Sequence, residues 1–391
     1  MSNKVKRLSI EQFRGFKNFD IEINENTTIL VGANGTGKTT ILEVIYNILS
    51  GNAEYFLNNS NFTKVALELD NGDSIKFIRN NNEVDKYINN EKVESNNEFF
   101  TKQKAIYFPA EVTFRNYEVT GATKLELTDK DVILNSERMS KELKQFLVNQ
   151  KYQDLNDIAN GTPQNANRIE KYKKIYNEFL SDKKFIGIDN NTFEPIFELN
   201  DTQQHITIEE LSSGEKQIFY KGGSLVQYGE EKEVIVLIDE PEISMHPEWQ
   251  QKILAFYRNI NPKAQYIFAT HSPHIVSSCK REEIRVILKQ EDKLIVDNDI
   301  VNTYGLTNEA ILFNIFNLDS VRDVTVQKEM NEYKNLFSKG ELLTEEEKEK
   351  MKNLKEKLKN SVGLSKSDIA MLEFESTTNK FKEMFKKLGD K

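Results

Sequence analysis

The chain has 391 residues, of which 38% are apolar and 29% charged, with a net charge of −9 and a single cysteine. That length exceeds what one hydrophobic core usually carries, so one large domain with an added lobe, or two domains, is expected. The composition excludes a disordered or disulfide-framed chain, and the acidic balance argues against a general attraction to nucleic acid. No run reaches the ~18 apolar residues of a membrane helix. The opening residues, MSNKVKRLSIEQFRGF, have a basic start without the apolar stretch of a signal peptide, so the cytoplasm is the expected compartment. Cys279 reads as a small packing residue.

In chain order, β-branched runs at 4–13 and 27–31 lead into the glycine-rich stretch Gly32–Gly37 and then an apolar helical pattern through Leu42, Ile45 and Leu49. The pattern is strand, glycine loop, helix. Residues 64–93 alternate polar and apolar around Asn71-Gly72, which predicts an antiparallel meander. Helical spacing over 136–184 predicts a helical lobe inserted into the first domain. From Leu211 onward, buried strands alternate with helices, VIVLI at 234–238 and YIFAT at 266–270, the signature of a parallel sheet covered on both faces. Four helical patterns close the chain, near 307–316, 324–338, 344–360 and 365–387, with Ser338-Lys339-Gly340 breaking two of them into a hairpin. The expected fold class is therefore α/β, divided as 1–135 and 206–290 for the two parts of the sheet-bearing domain, 136–205 for the helical lobe, and 291–391 for a mainly helical C-terminal region.

The octet Gly32-Ala33-Asn34-Gly35-Thr36-Gly37-Lys38-Thr39 fits GxxxxGK[ST] between a strand and a helix, where the motif's mechanism needs it. Glycines turn backbone N–H groups around phosphates, Lys38 reaches the β and γ oxygens, Thr39 ligates Mg²⁺, and Thr40 extends the cradle at the helix start. The alternative is a glycine turn that only caps a helix. VIVLIDE delivers Asp239 and Glu240 at a strand's carboxyl end, where ligands of open α/β sheets bind. Asp239 is the candidate metal ligand and Glu240 the group that orients or deprotonates the attacking water. Leu211-Ser212-Ser213-Gly214-Glu215 has the spacing of a capping box and a helix N-terminus suited to a γ-phosphate; its plain reading is a well-capped helix. His246, His271 and His274 lie near Asp239 in sequence, but no HExxH or cysteine pair accompanies them.

LSSGE resembles the LSGGQ signature of ABC-type ATPases, and with the phosphate loop and the Asp239-Glu240 strand it completes that family's set. The resemblance implies a P-loop NTPase of the ABC-head type with an antiparallel β subdomain, binding ATP and Mg²⁺ and hydrolysing ATP. It also implies a homodimer, or higher homo-oligomer, with ATP sandwiched so that Ser212, Ser213, Gly214 and Glu215 of one chain close over the nucleotide of another. Pro241–Pro247 takes the D-loop place, and His271, in ATHS, the place of the switch histidine. Gln103 is a candidate for the glutamine loop. The opening IEQFRGFKNFDIEI with Arg14 resembles the start of SMC, RecF and OLD proteins, and DEPEISMHPEWQ with ATHSPHIV is similar to the OLD-like group. The span from Thr39 to Leu211 is too short for SMC coiled-coil arms.

The C-terminal stretch TYGLTNEAILFNIFNLDS resembles that of the PtuA family of Septu anti-phage defence ATPases, also found in some retron systems. This resemblance implies a separate HNH-type nuclease as partner and the C-terminal helices as its docking surface. Two alternatives remain open at this point: a RecF-like repair ATPase acting on DNA directly, and an autonomous OLD-type nuclease using Asp297 and Asp299. For nucleic acid, the candidate surface is Arg168–Lys184, with Arg168, Lys171, Lys173, Lys174, Lys183 and Lys184 set among Glu170, Glu178 and Asp182; its plain reading is a solvated helix face.

Overall fold

The computed structural model describes residues 4–94, 97–102, 105–110, 119, 121–122, 132–133, 136–180, 182–229, 233–291, 293–297, 300–316, 318, 323–360, 369–370 and 373–374. Two compact units divide the chain, residues 1–317 and 318–391.

The first unit is organised by a seven-stranded sheet in the order Lys293–Asp297, Ile284–Gln290, Thr27–Val31, Gln265–Thr270, Ile235–Asp239, Ala105–Phe108, Val132–Ile133. Neighbours are parallel except for the edge hairpin formed by its first two strands. Thr27–Val31, Ile235–Asp239 and Gln265–Thr270 are buried along their whole length, because both faces of the sheet are covered. Alternate residues therefore feed two cores. Val31, Val236, Ile238 and Phe268 pack with Ile218 and Phe219 of helix Ser213–Gly229 and Leu254 and Tyr257 of helix Pro247–Ile260. Leu30, Leu237, Ile267 and Ala269 pack with Ile41, Leu42 and Ile45 of helix Lys38–Leu49 and with Leu8, Leu67 and Phe77 of a second sheet.

That second sheet is antiparallel and six-stranded, in the order Phe16–Glu22, Val5–Phe13, Lys64–Leu69, Ser74–Asn80, Glu83–Ile88, Glu91–Val93. The meander expected over 64–93 thus continues from the N-terminal strands. Its Asn71-Gly72 turn works as the residues predict: Gly72 takes φ 91°, and Asn71 Oδ1 accepts from the Asp73 N–H at 2.9 Å.

Two expectations need correction. The segment 136–205 is not purely helical: after helices Ser136–Ala159 and Arg168–Phe179 come strands Lys183–Ile188 and Pro195–Leu199, which with His205–Thr207 make a three-stranded antiparallel sheet. A bulge between Phe185 and Gly187 breaks the two-residue period that would have revealed it. The boundary at 291 also fails, because it cuts the hairpin of Ile284–Gln290 with Lys293–Asp297. Asp297 pairs with Val286 at the edge of the nucleotide sheet, and Asp299 lies outside the described residues, as does Gln103.

In the second unit, helices Val324–Lys339 and Glu345–Asn360 are separated at Gly340, where φ is 58°, and pack through Met330, Tyr333, Leu336, Leu354 and Leu358. The helix expected over 365–387 lies almost wholly outside the described residues. Cys279 is fully buried and its thiol is pushed up to about 12 by burial, which leaves it unreactive as a nucleophile. No described helix is long and apolar enough to cross a membrane.

Candidate nucleotide site

The strand order determines what meets what. Thr27–Val31 and Ile235–Asp239 are not neighbours; Gln265–Thr270 lies between them. All three run parallel, so their carboxyl ends deliver Gly32, His271 and Asp239-Glu240 to one edge of the sheet.

The loop after Thr27–Val31 depends on its glycines. Gly35 and Gly37 take φ 78° and 84°, and a Cβ on Gly37 would lie 2.4 Å from the Phe16 ring. A Cβ on Gly32 would lie 2.4 Å from the Ile287 carbonyl oxygen. Asn34 is exposed at the loop tip, while Thr36 is buried with its hydroxyl donating to Ala33 O at 2.9 Å. Thr36 therefore shapes the loop by its side chain. Lys38 is buried and folds back over the loop, its Nζ donating to Gly32 O at 3.0 Å and Ala33 O at 3.2 Å. Burial lowers its ammonium from the ordinary lysine range, against the pull of Glu240, Asp239 and Glu242. Thr40 receives Arg14 Nη1 at 3.2 Å, and the same guanidinium pairs with Glu43 at 2.8 Å.

Thr39 Oγ1 donates to Asp239 Oδ2 at 2.8 Å, joining loop and acidic strand end across 200 positions of sequence. Asp239 Oδ1 is buried without a hydrogen-bond partner among the described residues, and burial raises this carboxyl above its usual range. A hydroxyl and a carboxylate with one uncommitted buried oxygen are hard oxygen donors that fit Mg²⁺. Glu240 sits at φ 45°, its N–H donating to Ala269 O at 2.9 Å, and its Oε1 lies 3.3 Å from His271 Nε2. Burial, then repulsion from Glu242 and Asp239, raises the Glu240 carboxyl well above the usual carboxylate range. Burial, and then Lys38, draws His271 down to about 4, so its imidazole is neutral at ordinary pH.

Sequence reading passed over two residues here. Glu242 Oε1 accepts from Thr270 Oγ1 at 2.6 Å and from the His271 N–H at 2.7 Å, fastening the histidine turn to the acidic one. Its spacing two after Glu240 was the available signal. The other is Lys221, three after Ile218 and four before Leu225 on the buried side of helix Ser213–Gly229. His246 caps helix Pro247–Ile260, and His274 contacts Asn308 through Nδ1 at 3.0 Å.

At the signature, Ser212 and Ser213 are exposed, and both bonds of the capping box are present: Ser212 N–H to Glu215 Oε2 at 2.7 Å, and Glu215 N–H to Ser212 Oγ at 3.3 Å. Gly214 packs against the turn after Glu240, where a Cβ would lie 2.4 Å from Ser244 O, and Gln217 Nε2 donates to Ile243 O at 3.0 Å. Glu215 forms the capping box that its spacing predicts. Its carboxylate is enclosed and paired with Lys183 at 2.7 Å, and so holds the helix start. Burial opposes its ionisation, but Lys183 and Ser212 together keep it below the ordinary range. Glu215→Ala should lower stability by about 3 kcal/mol, since it removes the cap and strands Lys183. A urea midpoint equal to wild type would contradict that role.

The basic stretch is largely satisfied within the chain. Arg168 pairs with Asp154 at 2.9 Å and Asp157 at 2.6 Å, Lys173 with Glu170 at 2.6 Å, and Lys183 with Glu215. This weakens it as a phosphate-binding face.

A family profile described as "AAA domain, putative AbiEii toxin, Type IV TA system" matches residues 27–277. The chain is 26% identical over 344 residues to the Septu protein PtuA of Bacillus thuringiensis, covering 81% of this chain and 85% of that one. It is 22% identical over 401 residues to the Retron Vc95 probable ATPase of Vibrio cholerae serotype O1 biovar El Tor, covering 77% of each. Among solved structures, an Smc head bound to the C-winged helix domain of ScpA superposes with a TM-score of 0.53 at 14% identity, covering 75% of this chain and 97% of that one, a likeness of fold alone. The matched span holds the phosphate loop, the signature, the acidic strand end and the histidine turn, and the chain belongs to that AAA-domain family, with the ABC-type ATPase head as its fold.

Proposed function

We propose that the chain is the ATP-binding and hydrolysing subunit of a prokaryotic anti-phage defence system, dimerising through ATP and controlling a separate HNH-type nuclease. The observation that carries the ATPase part is the junction of Thr39 with Asp239 at 2.8 Å beside Glu240 and His271 at 3.3 Å. Lys38 leaves its loop carbonyls for the β and γ phosphates, and the N–H groups of the loop surround them. Thr39 and Asp239 would hold Mg²⁺, which would supply positive charge against the phosphates. Glu240 takes the proton of the attacking water, and neutral His271 orients the γ-phosphate and that carboxylate.

Dimerisation is supported by Ser212 and Ser213, which are exposed and, among the described residues, share no hydrogen bond with their own phosphate loop. Similarity to PtuA and to a retron ATPase supports the defence role. The C-terminal helices are the proposed docking surface, with Val324 and Leu342 exposed at 68% and 85%. The placement of Asp297 in the nucleotide sheet takes support from the autonomous nuclease reading.

Co-expression with the neighbouring gene product should yield a complex that survives gel filtration, with a nuclease in it. A permease, or no partner, would sink the regulatory reading while leaving the ATPase intact. Lys38→Ala should weaken ATP binding by about 10–100-fold, the worth of charge-assisted bonds to phosphate, as read by calorimetric titration. Unchanged affinity would remove Lys38 from the phosphate site.

A further inference from the structure

His271 is the first residue beyond the paired part of its strand: Ala269 is matched with Asp239 and Thr270 with Val31, and there the ladders stop. Its N–H therefore needs a partner from outside the sheet, and Glu242 supplies it. Glu242 Oε1 accepts the His271 N–H at 2.7 Å and the Thr270 hydroxyl at 2.6 Å, and Thr270 Oγ1 in turn accepts the Ser272 N–H at 2.9 Å. One carboxylate oxygen thus fixes three consecutive residues. These bonds are sheltered from water, since Thr270 is 0% and Glu242 9% exposed.

Glu242 hangs from a turn that is itself held. Ile243 N–H closes it onto Glu240 O at 3.2 Å, and Met245 N–H onto Glu242 O at 3.0 Å. Gln217 of the signature helix donates to Ile243 O, and Gln250 of helix Pro247–Ile260 donates from Nε2 to Met245 O at 3.0 Å. Gln250 also reaches the histidine turn, its Oε1 accepting from Ser272 Oγ at 2.6 Å. Against these bonds, the approach of the His271 ring to Glu240, 3.3 Å from Nε2 to Oε1, is longer than an ordinary N–H···O hydrogen bond. The ring is placed from its backbone, and the backbone is placed by Glu242.

We propose that Glu242 is a positioning residue for hydrolysis: through residues 270–272 it sets the His271 ring beside Glu240 and the γ-phosphate, and it does so as a hydrogen-bond acceptor, not by its charge. This rests on the ATPase reading above. Glu242→Gln keeps an oxygen in the accepting place and puts the amide nitrogen where Oε2 has no hydrogen-bond partner among the described residues. Glu242→Ala removes the acceptor and frees the turn.

These two variants, His271→Ala, and the double variant Glu242→Ala with His271→Ala are compared with wild type as full-length proteins for kcat, KM and melting temperature. Each is also made with isotope-labelled histidine and observed by NMR with and without a non-hydrolysable ATP analogue and Mg²⁺. Glu242→Ala should lose about 10–100-fold in kcat and keep its KM, while Glu242→Gln stays within about threefold of wild type in both. In the His271→Ala background, removing Glu242 should cost no further kcat, because a group that acts through the histidine has nothing left to place, although the melting temperature falls as it does in the single variant. The His271 ring signal, identified by its loss in His271→Ala, should shift with nucleotide in wild type and Glu242→Gln but not in Glu242→Ala. Wild-type kcat in Glu242→Ala would overturn the assignment. So would a loss in Glu242→Gln as deep as in Glu242→Ala, which marks a charged or proton-accepting role, or additive losses of kcat in the double variant, which mark a structural one. If Glu242→Ala does not fold, Thr270→Val, which keeps the shape and removes one of the two donors, takes its place in the cycle. If the wild type itself does not hydrolyse ATP, the ATPase reading falls, and the response of the His271 ring to nucleotide still decides Glu242.

Discussion

Glu240→Gln should bind ATP with little change in affinity and hydrolyse it about 10²–10⁴-fold more slowly, the range lost when a general base is removed. The amide is nearly isosteric and can still hydrogen-bond the water, but it cannot accept its proton. The backbone that aims it, with φ 45° and a bond from its N–H to Ala269 O, does not depend on the side chain's charge. Burial and the neighbouring Glu242 and Asp239 already raise the native carboxyl, which brings it toward the basicity a proton acceptor needs at neutral pH. His271 at 3.3 Å stays neutral and cannot replace it efficiently, since burial holds the imidazole down to about 4. With turnover blocked, ATP should accumulate in closed dimers, and light scattering should show twice the monomer mass with ATP and one mass without. The variant should melt no lower than wild type, because one of three mutually repelling carboxylates has gone. Wild-type turnover in this variant would remove Glu240 from the mechanism and shift attention to Glu242.

What was legible in the sequence was local. The phosphate loop could be read because positive φ at Gly35 and Gly37 restricts the residue choice, and because Thr27–Val31 is buried on both faces and so shows an unbroken apolar run. The acidic strand end was legible for the same reason, as was the capping box at Ser212. What depended on distant partners was not. Nothing within YIFAT says that it pairs with Thr27–Val31 on one side and Ile235–Asp239 on the other, yet that order is what sets His271 against Glu240. Glu215 could be seen as a cap, but its enclosure needed Lys183, which sits on a strand concealed by the Phe185/Gly187 bulge. Lys221 carried a faint signal, a cation on an apolar helix face. Only the fold shows that it is buried and not a surface lysine.

Ser212→Arg should abolish ATP-dependent dimerisation while leaving ATP bound to the monomer. Ser212 is exposed at the start of a helix, and its hydroxyl accepts the Glu215 N–H at 3.3 Å. Arginine there loses the cap, worth about 1 kcal/mol, and places a long side chain where another chain's nucleotide is proposed to dock. Ser212→Ala isolates the cap and should retain measurable closure. The sharper result comes from mixing Ser212→Arg with Lys38→Ala, each inactive alone. In a two-fold dimer the same patch is used from both sides, so a mixed dimer holds one pocket with two defects and one with none. The intact pocket joins Lys38 of the Ser212→Arg chain to Ser212 of the Lys38→Ala chain. Random pairing makes about half the dimers mixed, and one working pocket in each returns about a quarter of wild-type turnover if the pockets act independently. If each signature instead served its own chain's nucleotide, the mixture would return nothing, because every phosphate loop that binds ATP would belong to a chain whose signature is blocked.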